Sequence, residues 1–243
     1  MKVIYNLPKK YLSYSQMSLW QSNREGYRQR YYFNGPSFEN KETIFGKKVA
    51  RMLEDGIKDP VLDRVPRYKL MEHRIEVKVG GVPFLGVLDS FSKQRKAIVE
   101  FKTGKEAWTD LRCAKANQLV TYSLLTKIKY KKVDPWVRLV WIETRDGKET
   151  REFGGHTLIG KNNQIEFTGK IQVFNRRIAE WQRQKMKKEI IKTAKEISDD
   201  YTKIKQESPE LFQQAGEALA RKESEKQDVL SGVTKEVGYC KKG

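Results

Sequence analysis

Apolar positions along the chain recur with a period of two in some stretches and with a helical period in others. Ile75, Val77 and Val79 alternate with polar residues over 69–79, and Gly80-Gly81 follows as a turn. Next come VPFLGVLDSF (82–91) and KAIVEFK (96–102), two strand-like runs around a polar turn centred on Gln94-Arg95. VRLVWIE (137–143) reads as a mostly buried strand, and Glu149 to Phe153 is expected to pair back to it across Asp146-Gly147, a hairpin signal.

Helical spacing occupies much of the remainder. A capped helix is expected after Tyr11, with Ser13 or Ser15 as N-cap and Leu12, Met17, Leu19 and Trp20 as contacts, ending before Gly35-Pro36. Ile44, Val49, Met52 and Leu53 mark a second helix over 41–55. A third is expected over 110–127, capped by Asp110, with Leu111, Leu119, Leu124 and Leu125 toward the core. From about Gly169 the pattern reads as one long basic helix with Ile171, Phe174, Ile178, Trp181 and Ile190 as its apolar seam, and a short helix follows Pro209 to about Arg221. The resulting order is helix, three strands, helix, strand. The expected organisation is an α/β (α+β) core over 1–160 and a basic helical extension over 161–243.

Candidate chemistry concentrates at the second hairpin. If its turn is tight, Asp89 faces Glu100 across the ladder, and alternation puts Lys102 on the face of Glu100. Two opposed carboxylates repel, so the pair calls for a compensating charge. Mg2+ takes oxygen ligands and is commonly held over phosphates by one or two carboxylates. A lysine beside it can stabilise charge developing on phosphorus. This pattern suggests metal-assisted phosphodiester hydrolysis.

G-V-L-D at Gly86–Asp89, E-F-K at Glu100–Lys102 and Q-L-V-T-Y at Gln118–Tyr122 resemble the RecB-like exonuclease branch of the PD-(D/E)xK nuclease superfamily, including its CRISPR-associated members. The resemblance covers roughly residues 11–143 and implies a restriction-endonuclease-like αβββαβ core with a mixed central sheet flanked by helices. It also implies Mg2+ or Mn2+ held by Asp89, Glu100 and the Phe101 carbonyl, with Lys102 catalytic and Gln118 and Tyr122 bracing it. By the same resemblance, Phe45-Gly46 matches a glycine-bearing helix that packs near the site. Many relatives carry a metal-reaching histidine four residues after that glycine, and this chain has Ala50 there. Glu42 and Glu54 on this helix read mainly as solvated charges, and His73 as an exposed strand residue.

Composition narrows the partners. Lys and Arg total 49 against 31 acidic residues, a net charge of +18, which points to a polyanion: nucleic acid first, an acidic membrane surface second. No apolar run reaches the roughly 18 residues of a membrane span, and the N-terminus lacks a signal-peptide core, so a cytoplasmic setting is expected. Two cysteines, Cys113 and Cys240, cannot supply the four thiolates of the iron–sulfur cluster some relatives carry. Arg176, Arg177, Arg183, Lys185, Lys187 and Lys188 form either a phosphate-binding cluster or a solvated helix face. Tyr27, Tyr31, Tyr32 and Phe33 serve either base stacking or core packing. The expected partner is DNA, single- or double-stranded, with any helicase or recombination partner a separate chain, since no P-loop is present. The competing reading is a nucleic-acid-binding subunit that keeps the fold without cutting.

Overall fold

The computed structural model describes residues 4–36, 39–131, 133–153, 156–218 and 220–221. They fall into two compact units, one comprising the described residues of 11–14 and 39–192, the other those of 4–10, 15–36 and 193–221. The chain therefore does not divide at residue 160.

The alternation over 69–102 becomes three consecutive strands of the first unit: β2 (Leu70–Val79), β3 (Val82–Ser92) and β4 (Ala97–Gly104). Gly80 and Gly81, at φ of 58° and 93°, form the first turn, a backbone shape glycine adopts without a Cβ penalty. They join a six-stranded mixed sheet whose path runs from β1 (Leu12–Ser13) through β3 and β4 to β5 (Trp136–Phe153) and β6 (His156–Arg177), with β2 on the other edge of β3. Only the β1–β3 and β4–β5 pairings are parallel. The parallel step needs a crossover, supplied by α4 (Asp110–Ala114) and α5 (Asn117–Tyr130). With α3 (Lys41–Glu54) ahead of β2, the expected αβββαβ succession is present, a mixed α/β sheet flanked by helices.

Helix α3 packs on β4 and β6. Its Val49 and Leu53 meet Val99, Phe101, Val140 and Ile142 in a common apolar core. Helix α5 is buried from Leu119 through Thr126, which only a helix enclosed on all sides requires. It lies close to β3 because position 86 is glycine: a Cβ there would sit 2.5 Å from Leu125 Cδ1.

Several expectations change: the single N-terminal helix is two, Tyr14–Ser22 and Arg24–Tyr31, parted at Asn23, and Leu111, expected toward the core, is exposed. Residues 169–177 are strand, not helix, and α6 (Glu180–Glu207) starts later. Ile171 and Val173 alternate, as a strand paired with 136–142 demands. Asp146-Gly147 is not a hairpin turn but an irregularity inside β5, where the register with β6 shifts between Asp146 and Lys148. A Cβ on Gly147 would lie 2.2 Å from Asn162 Oδ1, so glycine here serves close approach to the neighbouring strand. The third helix is broken into α4 and α5 and capped by Thr109, whose hydroxyl accepts the Arg112 N–H, rather than by Asp110.

The second unit contains α1 (Tyr14–Ser22) from Ser15 onward, α2 (Arg24–Tyr31) and the part of α6 beyond Lys192. Trp20 Nε1 donates to Glu196, and Arg28 and Tyr32 both donate to Asp200. Tyr27 and Tyr32 are buried and meet edge to face at 5.8 Å, so core packing claims these rings, not base stacking. The helix expected after Pro209 is present over 209–218; Cys240 lies outside the described residues.

Candidate active site

Strand β3 borders β1 at Phe84 and Leu85 and β4 at Ser90 to Ser92, so 86–89 lack a ladder partner on that edge. The split carries the site. The register that pairs Ser90 with Val99 makes Asp89 and Glu100 the next rung, but the ladder stops there. Asp89 Oδ2 instead accepts the Phe101 N–H at 2.7 Å, which pins the carboxylate between the strands.

Glu100 is 2 % exposed. Its Oε1 accepts from Lys102 Nζ at 2.7 Å, and its Oε2 is buried without a partner. Lys102 Nζ also donates to Gln118 Oε1 at 2.9 Å, and Gln118 Nε2 donates to the Tyr122 hydroxyl at 3.0 Å. The i, i+4 spacing of Gln118 and Tyr122 on α5 puts both on one helix face. Asp89, Glu100, Lys102, Gln118 and Tyr122, spread over 34 positions of the sequence, thus form one cluster.

A cavity of about 460 Å³ opens onto it, walled by Asp89, Glu100, Phe101, Lys102 and Thr103 and by α3 residues including Thr43, Gly46, Lys47 and Ala50. A Cβ on Gly46 would lie 3.3 Å from Thr103 Oγ1, so glycine lets the helix approach β4.

Burial dominates the electrostatics. It pushes the Asp89 carboxyl up to about 8, with the Glu100 charge adding to the rise. Burial likewise raises Glu100, against the pull of Lys102. For Lys102 burial alone would lower the ammonium, but the Glu100 carboxylate outweighs it and the net shift is upward. Burial also raises the Tyr122 phenol, which stays protonated.

The donor set fits a hard divalent cation. Two carboxylates converge, one carries an unsatisfied buried oxygen, and both are costly to ionise without a positive partner. Among the described residues no group of three or more His, Cys, Asp or Glu is gathered to hold a metal by side chains alone. A Mg2+-type site, which completes its shell with water, needs only one or two carboxylates. Phe101, the expected carbonyl ligand, lines the same cavity wall as the two acids.

The basic positions fare differently. Arg176 donates to the Cys113 carbonyl, and Arg177 stacks over Trp136 at 4.4 Å and donates to the Asp134 carbonyl. Arg183 is 3 % exposed and bonds Ser123, Asp134 and Glu180. Arg183 is thus committed to internal contacts, whereas Arg177, half exposed, pairs at the surface with Trp136 and Asp134. Trp181, assigned to the buried seam, is 67 % exposed. His73 is half-buried, stacked on Phe91 and bonded to the Tyr130 hydroxyl at 2.7 Å, so it is an internal partner.

Tyr14 was not singled out by its sequence. Burial raises its phenol, Lys102 opposes the rise, and the oxygen takes the Gln118 N–H. Ala116, the N-cap of α5, offers no side-chain cap, so Tyr14 serves that helix end and holds Gln118 in place. Glu72 on β2 also adds to the negative field at Glu100.

No family model and no curated protein matches the chain. Among solved structures it is similar to an exonuclease candidate from Eubacterium rectale, at 9 % identity and a TM-score of 0.49 over 81 % of this chain and 82 % of that one. A phage-related exonuclease from Haemophilus somnus 129PT is similar at 17 % identity and a TM-score of 0.48, over 74 % and 80 % of the two chains.

Proposed function

We propose that the protein is a Mg2+- or Mn2+-dependent DNA nuclease of the RecB-like PD-(D/E)xK type, hydrolysing phosphodiester bonds at DNA ends or in single strands. The observation that carries this reading is the pairing of partly buried Asp89 with buried Glu100, whose Oε2 is unsatisfied, braced by the Lys102–Gln118–Tyr122 relay.

Asp89, Glu100 and the Phe101 carbonyl would hold the cation, which supplies Lewis acidity toward phosphate and lowers the pKa of a water. Asp89 is kept in position by the Phe101 N–H. An ammonium has three N–H donors, and Lys102 uses two of them on Glu100 and Gln118. Its third is available to a phosphate oxygen or an attacking water in the cavity, where it stabilises charge building up on phosphorus. Gln118, itself tied to Tyr122, fixes the direction of that donor. The net charge of +18 favours a polyanionic substrate. On this reading the protein acts in the cytoplasm in recombination, repair or phage DNA processing, and any helicase it works with is a separate partner.

The test is cleavage of linear single-stranded, linear duplex and closed circular DNA with Mg2+, Mn2+ or EDTA, wild type beside Lys102→Ala. Metal-dependent cutting that the variant loses is the expected result, and a spared circle marks an exonuclease. Salt-sensitive DNA binding with no cutting of any substrate would replace the reading with a non-catalytic binding subunit.

A further inference from the structure

Glu72 lies inside β2 at a φ of 45°. The other non-glycine residues with positive φ are Asn34 and Asn163, which tolerate it, Lys96 in a turn and Lys131 at a helix end. A glutamate in the middle of a strand has no such excuse. The β2–β3 ladder pairs Met71 with Ser90 and His73 with Leu88 in one continuous register, and the rung it skips is Glu72–Asp89. Asp89 therefore lacks a ladder partner on both edges of β3, with Glu72 across from it on one side and Glu100 on the other.

Glu72 lines a second cavity together with Lys47, Ala50, Arg51, Glu54 and Asp55. Lys47 and Ala50 also wall the cavity of Asp89, Glu100 and Lys102, so the two spaces adjoin at the small Ala50 side chain. The cations of this second cavity pair with other carboxylates, Lys47 with Glu39 and Arg51 with Asp55. Glu72 thus faces the neighbouring acids without a compensating cation. Independently of Glu72, the unpartnered Glu100 Oε2, in a side chain 2 % exposed, points to a positive ligand at this place.

We propose that Glu72 is a third carboxylate of the cation site, set back from the ion by one water and reaching it through the space beside Ala50. This inference rests on the metal-site reading above. Asp89, Glu72 and Glu100 are not close enough to share one ion by direct contact, which is why the role falls to a water-mediated position. Glu72, exposed on β2, holds its positive φ where it lines the space beside Ala50, and such strained positions persist where function maintains them.

The experiment is calorimetric titration of Mn2+ into metal-free wild type, Asp89→Asn, Glu72→Gln, Glu72→Gly and Glu54→Gln, with thermal midpoints measured without metal. Binding abolished in Asp89→Asn and weakened about 10-fold in both Glu72 variants is expected, the scale of losing an outer-shell partner. Glu72→Gly should also raise the metal-free midpoint, because glycine accepts the positive φ, an outcome a merely structural glutamate would not give. Should Glu72→Gln not fold, Glu72→Gly alone decides. Wild-type affinity in the Glu72 variants, with binding lost in Asp89→Asn, overturns the role of Glu72 and leaves the metal-site reading standing. An equal loss in Glu54→Gln assigns the effect to the general negative field and also overturns it. A wild type that binds no Mn2+ overturns both readings.

Discussion

Two charged regions of this chain stand out in the sequence, and the structure treats them in opposite ways. At the β3–β4 split Asp89 is partly buried and Glu100 fully so, and Glu100 Oε2 lacks a partner. The basic run from Arg176 to Arg183 is rich in partners: a carbonyl for Arg176, a ring and a carbonyl for Arg177, and a hydroxyl with two carboxylates for Arg183. Charge satisfied internally stabilises a fold. Charge held in a cavity at a desolvation cost, with an oxygen left over, asks for a ligand. The difference lies in the unmet demand, not in the number of charges.

The strongest way to break this contrast is to remove Lys102. Lys102→Ala should lower the cleavage rate on the order of 10³-fold, as losing a preorganised charge-stabilising donor does, while circular dichroism shows the fold retained. An equal loss of cleavage from Arg177→Ala would erase the distinction between the two regions. Next in size, Gly86→Ala should destabilise by about 1–3 kcal/mol through overpacking against Leu125 and shift α5, so cleavage falls together with the denaturation midpoint. Arg183→Ala should cost about 2 kcal/mol in urea unfolding, the scale of losing hydrogen bonds to charged groups, and leave the cleavage rate of the folded protein unchanged.

A pH series sharpens the comparison further. Asp89 titrates near 8 in the folded metal-free protein, well above its ordinary value of 3.8. The folded state therefore binds more protons than the unfolded state between these two values, and stability falls as pH rises through that window. The thermal midpoint of metal-free wild type should drop from about pH 5 to 8 relative to Asp89→Asn, and saturating Mn2+ should restore it at pH 8. A constant difference between the two proteins would remove Asp89 as the source. The smallest effect belongs to Arg177→Ala: under about 1 kcal/mol for the lost stacking on Trp136, with the salt dependence of DNA binding unaltered.

The candidate cluster was legible because its parts are local. A tight turn fixes the register of Asp89 against Glu100, period two aligns Lys102 with Glu100, and i, i+4 spacing aligns Gln118 with Tyr122. The misreadings were of a different kind. At 169–177 a strand carries apolar residues whose spacing also suits a helix, and only pairing with 136–142 decides between them. Asp146-Gly147 has the composition of a hairpin turn, yet β5 runs through it because pairing with β6 continues on both sides of the irregularity. Tyr14 and Glu72 are not marked by local sequence because what sets them apart is the influence of residues far along the chain: the α5 N-terminus for one, the Asp89 charge for the other.

The sequence by itself determined the succession of elements over 41–143 and the types and relative spacing of the five clustered residues, because turn chemistry and side-chain periodicity act over a few residues. Tertiary structure alone decided which charges were satisfied. It spent the arginines of β6 and α6 on carbonyls and carboxylates and enclosed Tyr27 and Tyr32. It also opened the split in which Asp89 and Glu100 stand. Burial depends on what the rest of the chain brings alongside, and burial is what makes an ordinary carboxylate costly to ionise.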